Sequence, residues 1–359
     1  MKVFIKTFGC QANISDSEAM AGLLKEKGYE LVDSEDKADF IIANTCAVKN
    51  ATQSKILDYL KKYSKTKKIF VGGCLTKVLD IKKYAPVKAV FDTNSILKIS
   101  EILTQEKDSF SEHKENRILT PLIRKDSEIA IIPIGEGCLN SCTFCATKLA
   151  RGNLRSYRIG DIKRSFQKAV DEGCNKIYLT SQDNGCYGFD LRTNLPELLD
   201  ELTQIKGDYI IRIGMMNPWH LNKILPDLLE SYSSDKIMKF LHIPVQSGSE
   251  KILKHMKRIH TVENFRTAVN LFRKNFPDIT IATDIIIGYP AETEEDFQLT
   301  YDLIKETKPE VLNISKFSSR PGTKAAELKQ LNSGIIKERT LRLNNLYQEY
   351  RRWKSSIKE

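Results

Sequence analysis

Cys138, Cys142 and Cys145 form a C-x3-C-x2-C run just after the apolar stretch Ile129–Ile134, in a chain with eight cysteines. Three thiolates so close in one loop can hold three corners of an iron–sulfur cube and leave its fourth iron open to a small molecule. A structural zinc site wants four closed ligands. Cys174 and Cys186 could offer a fourth, but neither forms a C-x2-C pair with another cysteine. The spacing favours iron–sulfur chemistry over zinc. Cys10, Cys46 and Cys74 stand upstream and raise the prospect of a second site of the same kind.

Whether these cysteines meet depends on the elements that carry them. Val3–Thr7, Asp39–Ala43, Lys68–Val71 and Val87–Phe91 read as strands. Between them, Ser15-Asp16-Ser17-Glu18 reads as a capping box opening a helix through Leu23 and Leu24 to Gly28. Ile56, Leu57 and Leu60 mark the apolar face of the next helix, and Ile96–Leu103 forms the last. This alternation predicts a small parallel sheet with helices on its faces. Cys10, Cys46 and Cys74 each fall a few residues past a predicted strand, at the edge where open α/β sheets bind ligands. A single buried cysteine would ordinarily be core. Three at equivalent positions suit a ligand set.

Residues 106–128 are polar and weakly periodic and read as a linker. Beyond them, strands are predicted at Ile129–Ile134, Lys176–Thr180, Tyr209–Ile213, Met238–Ile243, Ile279–Ile287 and Val311–Lys316. Helices are expected between them, among them Ile162–Asp171, Leu195–Ile205, Val262–Phe276 and Glu294–Glu306. Six βα units in series predict a partial (β/α)6 barrel with its active site at the strand C-termini. The expected division is therefore 1–105, a small parallel-sheet α/β domain; 106–128, the linker; 129–330, the barrel; and 331–359, a basic helix carrying Arg339, Arg342, Arg351, Arg352 and Lys354.

The 359 residues, 41% hydrophobic and 28% charged, suffice for two cores. No run approaches the roughly 18 apolar residues that cross a bilayer, and Met1–Lys6 reads as a strand, not a signal peptide. A cytoplasmic protein with no membrane partner is expected, in which clustered cysteines serve metals more often than disulfides. The net charge of +10 suits a polyanionic partner such as nucleic acid, and equally a lysine-rich solvated surface.

Polar groups close several barrel strands. Ser181-Gln182-Asp183 ends the second and Arg212 lies on the third. His242 through Gly248, with Gln246, follows the fourth, and Asp284 through Gly288 ends the fifth. Singly, Asp183 suits a turn cap, Arg212 an ion pair and Gly288-Tyr289-Pro290 a turn. Gathered at one rim, they suit a site.

The C-x3-C-x2-C run, with Phe144 before its third cysteine and a barrel strand before the run, resembles the radical S-adenosylmethionine superfamily. The resemblance implies a 4Fe–4S cluster on Cys138, Cys142 and Cys145 whose open iron chelates the methionyl amine and carboxylate. One electron then cleaves the sulfonium to a 5′-deoxyadenosyl radical. Phe144 would lie near the adenine, and Ser181, Gln182 and Asp183 would meet the methionyl amine. Arg212, Gln246 and Asp284 complete the expected cofactor set.

Phe8-Gly9-Cys10-Gln11-Ala12-Asn13, Asn44-Thr45-Cys46 and Gly72-Gly73-Cys74 look like the amino-terminal domain of methylthiotransferases. That likeness implies a second 4Fe–4S cluster on Cys10, Cys46 and Cys74, carrying the sulfur that is methylated and inserted into a C–H bond. Cys145 through Gly152, Thr180 through Gly188 and Arg212 through Pro218 are similar to the archaeal and eukaryotic group. That group methylthiolates carbon 2 of N6-threonylcarbamoyladenosine at position thirty-seven in the tRNA anticodon loop. A reductant protein is implied as electron source. Hydrogen abstraction needs no general acid or base, and none is assigned.

Arg151, Arg155 and Arg158, after the cluster loop, are expected contacts to phosphate or to the threonyl carboxylate. They suit a solvated helix start equally well. Members of the family usually continue into a small β-rich TRAM domain, which this chain is expected to lack. The same chemistry on isopentenyladenosine tRNA or a ribosomal-protein aspartate stays open as an alternative. A zinc-stabilised, non-catalytic nucleic-acid-binding module is a further one.

Overall fold

The structure, a computed structural model, describes residues 1–113 and 115–358, with side chains only as far as 352. Lys114 of the expected linker, and the Lys354 side chain and Glu359 of the expected basic helix, lie outside the described residues. The chain divides into two compact units.

The first unit comprises residues 1–138, 145–182 and 205–209. It opens with β1 (Lys2–Thr7), α1 (Gln11–Glu26), β2 (Glu30–Leu31), β3 (Phe40–Thr45), α2 (Asn50–Tyr63), β4 (Lys68–Gly73), β5 (Ala89–Val90) and α3 (Ile99–Gln105). The strands form one parallel sheet in the order β2-β1-β3-β4-β5. Side chains alternate across it, as the pleat requires. Ile41 and Ala43 join Ile56 and Leu60 of α2 on one face, while Phe40 and Ile42 join Met20 and Leu24 of α1 on the other. Next come β6 (Ile129–Pro133), β7 (Gly135–Glu136), α4 (Ala146–Arg151), β8 (Arg155–Ser156), α5 (Ile159–Asp171) and β9 (Lys176–Thr180). β6 and β9 pair in parallel, and β7 and β8 antiparallel. Ala146 and Ala150 of α4 pack into the same cluster as Ile41 and Ile56.

Two expectations need correction. Helix α1 begins at Gln11, not Ser15, with Cys10 at its N-cap and no side-chain cap bond. Ser15, Asp16, Ser17 and Glu18 are buried inside it, and Asp16, Ser17 and Glu18 bond to Arg151, Asn44 and the Lys125 amide instead of capping. Residues 106–128 contribute to the interior as well as connecting, since Arg117 and Ile118 are buried.

The second unit comprises residues 139–144, 183–204 and 210–359. Its elements are α6 (Leu195–Thr203), β10 (Ile210–Ile213), α7 (Pro218–Lys223), α8 (Leu225–Ser231), β11 (Phe240–His242), α9 (Glu250–His255), α10 (Val262–Asn275), β12 (Thr280–Ile287), α11 (Glu294–Thr307), β13 (Val311–Lys316) and α12 (Ser333–Lys358). β11, β12 and β13 form a parallel sheet in that order. β10 is bonded to the chain entering β11, through Ile211 to Lys236 and Met238 to Ile211. Helix α10 shows why these segments fold as they do. Thr261 and Asn264 close a capping box, and buried Phe265, Ala268, Val269 and Phe272 recur at helical spacing on one face. The architecture is α/β with parallel sheets, and all six strands expected after residue 128 are present. No helix among the described residues is long and apolar enough to cross a membrane.

Candidate functional site

Cys10, Cys46 and Cys74 follow β1, β3 and β4, three adjacent strands that run parallel and finish at one sheet edge. The backbone brings their loops together closely. A Cβ on Gly9, whose φ is +128°, would stand 2.9 Å from the Cys46 Cβ. A Cβ on Gly73, at φ +95°, would stand 2.4 Å from the Thr45 carbonyl oxygen. Only glycine fits either position without strain. Two buried asparagines lock the arrangement. Asn13 Nδ2 donates to the Thr45 carbonyl at 2.9 Å, and Asn44 Nδ2 to the Asn13 carbonyl at 2.8 Å and Ser17 Oγ at 2.9 Å. None of the three is joined in a disulfide. Cys46 Sγ accepts from the Val48 amide at 3.5 Å, so backbone N–H already points at a sulfur, as around iron–sulfur ligands. A trio of soft thiols on tight loops fits a 4Fe–4S cluster.

A buried ion network reaches this edge. Arg151, the last residue of α4, is 3% exposed. Its Nη2 donates to Asp16 Oδ2 at 2.6 Å and its Nε to Cys74 Sγ at 3.4 Å. Asp16 Oδ1 also pairs with Arg117 Nη2 at 3.0 Å, and Arg117 Nε with Glu136 at 2.7 Å. Tyr157 donates its hydroxyl to Glu136 as well. Burial pushes the Cys74 thiol up; the Arg151 guanidinium acts against that shift, and the Asp16 carboxylate with it. Arg151, expected at the substrate, thus has interior partners. Arg158 is exposed at the N-cap of α5 and Arg155 half-buried in β8.

The C-x3-C-x2-C loop is anchored at many points. Cys138 donates its amide to the Gly152 carbonyl, and Lys148 Nζ donates to the Cys138 carbonyl. Cys145 caps α4. Within the second unit, Thr143 receives and gives backbone bonds with Ala325 and Met256, and its hydroxyl meets that of Tyr289 at 2.8 Å. Phe144 packs against the cluster of Ile252, Met256, Tyr289 and Ala325. Arg258 Nη1 lies 3.8 Å from Cys142 Sγ and Nη2 2.6 Å from the Pro244 carbonyl. The Arg258 Nε is buried with no partner, a spare donor beside a sulfur, which suits an anionic cluster. Sequence reasoning missed Arg258; its only signal was a cation following the Gln246 segment.

The remaining expected residues fall into separate groups. Gln182 Oε1 accepts from the Gly137 amide, one residue before Cys138, and Ser181 is buried beside it in sequence. Asp183 is a structural hub. Its carboxylate accepts from Gly185, Asn217, Asn140 and His220, the last at 2.7 Å. Cys186 is fully buried and donates its thiol to the Asp183 carbonyl at 3.2 Å. The Asp183, Cys186 and His220 ligand atoms lie within 4.8 Å of one another, but the carboxylate is already saturated by donors, so the knot is a brace. Cys174 is buried and donates to the Ser127 carbonyl, a packing role. Arg212 stacks 4.4 Å from the Phe240 ring centroid. Asp284 pairs with His242 Nε2 at 2.7 Å, and Gln246, at φ +75°, bonds through its backbone to Asp284 and Ile286.

Comparison with known proteins adds identity to this geometry. Residues 2–92 match the family described as "Uncharacterized protein family UPF0004", and residues 132–304 match the radical SAM superfamily. A protein of Pyrococcus horikoshii named "Probable threonylcarbamoyladenosine tRNA methylthiotransferase" is 41% identical over 355 residues, 96% of this chain and 84% of that protein. One of the same name from Archaeoglobus fulgidus is 43% identical over 96% of this chain and 83% of its own length. A Homo sapiens "Threonylcarbamoyladenosine tRNA methylthiotransferase" is 37% identical over 100% of this chain and 64% of its own. Among solved structures, the radical S-adenosylmethionine methyltransferase TsrM from Kitasatospora setae aligns with TM-score 0.67 at 12% identity, over 90% of this chain and 76% of that one. That likeness concerns the fold alone.

Proposed function

Because the chain belongs to the threonylcarbamoyladenosine tRNA methylthiotransferase family, we propose that it methylthiolates carbon 2 of N6-threonylcarbamoyladenosine at position thirty-seven of tRNA, using S-adenosylmethionine and two 4Fe–4S clusters. It is an enzyme with a radical SAM domain. The observation that carries the two-cluster reading is the gathering of Cys10, Cys46 and Cys74 at three adjacent strand ends, in a chain that also holds C-x3-C-x2-C.

Cys138, Cys142 and Cys145 would hold one cluster, and Cys10, Cys46 and Cys74 the other. When bound, the first with S-adenosylmethionine supplies radical chemistry at a C–H bond, and the second supplies sulfur. The chain's own residues hold and orient. Asn13 and Asn44 fix the upstream loops. Thr143 fixes the middle of the second loop. Arg258 offers a cation to Cys142. Phe144, Ser181, Gln182, Arg212, Gln246 and Asp284 are the proposed cofactor-side residues, with Asp183 bracing the segment after Gln182, and Arg155 and Arg158 the proposed tRNA contacts. A reductant protein supplies electrons.

The test is mass spectrometry of tRNA nucleosides from a strain lacking the protein, complemented with native or Cys138→Ala chain. Loss of the 2-methylthio nucleoside, restored by the native chain alone, is expected. An unchanged tRNA profile rejects the target, and loss of the isopentenyl counterpart moves it. Stoichiometric zinc with no iron after anaerobic reconstitution rejects the chemistry.

A further inference from the structure

Arg151 stands where no surface contact can use it. It closes α4, the helix begun by Cys145, and it is 3% exposed. Its guanidinium divides between Asp16 Oδ2 at 2.6 Å and Cys74 Sγ at 3.4 Å. Asp16 lies on α1, the helix begun by Cys10. One side chain thus spans a helix launched from the second cysteine loop, a helix launched from Cys10, and the sulfur of Cys74 itself. Lysine could not repeat this, because only a guanidinium offers diverging N–H donors in a fixed plane.

The geometry points to Arg151 as a positioning residue for the upstream cluster: it donates an N–H to the Cys74 thiolate, places a buried cation beside that cluster, and ties its geometry to α4. This rests on the two-cluster reading above. Hydrogen bonds to ligand sulfur and nearby positive charge both favour the reduced, more negative form of an iron–sulfur cluster. The Asp16 carboxylate offsets part of that charge but fixes the orientation, and Arg117 shares that carboxylate, so the arginine is held toward the sulfur instead of swinging away. The arrangement also gives a physical route by which a shift of the helix after Cys145 would be felt at Cys74.

The experiment uses the full chain with Cys138, Cys142 and Cys145 replaced by alanine, so that only the upstream cluster remains, reconstituted anaerobically. About four irons per chain are expected; no iron would reject the two-cluster reading and, with it, the role given to Arg151. On that background Arg151→Gln should shift the cluster midpoint, read by EPR-monitored redox titration, to more negative values, and Arg151→Lys should shift it less. A full iron load with an unmoved midpoint in Arg151→Gln overturns the proposal. Should that variant fail to fold, the unsubstituted background grown with 15N-arginine answers in its place. A 15N coupling to the reduced cluster is then expected, and its absence overturns the assignment.

Discussion

At the scale of the residue, the loops that carry the upstream cysteines are held together by polar side chains. Asn44 is 1% exposed and its amide donates to both the Asn13 carbonyl and Ser17 Oγ. Asn44→Ala leaves those acceptors, and the Asn13 amide, short of partners in the interior, at a cost of about 1–3 kcal/mol. The variant should lower the unfolding free energy read from urea titration by that amount and hold less iron upstream. Native-like stability with full iron would show that the loops are fixed by other means. The cysteines themselves were legible because their spacing is arithmetic and their placement after strands follows from periodicity. Arg151 was not. A basic residue after a cluster loop reads as a substrate contact in one dimension, and only the approach of Asp16 and Cys74, far away in sequence, turns it inward. Cys186 was opaque for a related reason: its acceptor, the Asp183 carbonyl, is local, but the knot around it is completed by His220, distant in sequence.

At the scale of the element, β-strands and later helices were readable because their signals are local. β12, Thr280–Ile287, is rich in β-branched residues, and α11 announces itself with Thr293 and Asp296. Helix α1 was misread at its start because Ser15 through Glu18 mimic a cap while serving as an interior face. A true cap behaves differently under acid. Burial pushes the Asp296 carboxyl up, but the Thr293 amide, Ser249 hydroxyl and Lys251 ammonium outweigh it and hold the pKa at about 2. The ordinary value is 3.8, so the folded group is the stronger acid. Its stabilisation is fully present above pH 4 and drains away as pH falls toward 2. It amounts to about 2 kcal/mol at neutral pH. Asp296→Asn should therefore destabilise the protein at pH 7, with the gap to the native chain narrowing steadily between pH 4 and 2. Urea titrations across that range measure it, and a gap independent of pH would assign the effect to lost packing.

At the scale of the whole molecule, the +10 charge has to be connected to a polyanion through particular groups. Composition alone could not do this, because a solvated lysine-rich surface gives the same total. Burial sorts the three arginines that follow the second cysteine loop. Arg151 is consumed by the interior, Arg155 is half-buried, and Arg158 alone is exposed, at the N-cap of α5. If Arg158 meets a phosphate, it releases a counterion, and binding falls linearly in log affinity against log salt. Arg158→Ala should then flatten that slope by about one and weaken all tRNAs alike. If it meets the threonyl carboxylate, the loss should be confined to tRNA carrying the threonylcarbamoyl group. Equilibrium binding of modified and unmodified transcripts, each over a series of salt concentrations, separates the two. An unchanged slope together with an unchanged preference would remove Arg158 from the interface and leave the charge to groups the cysteine loops do not position.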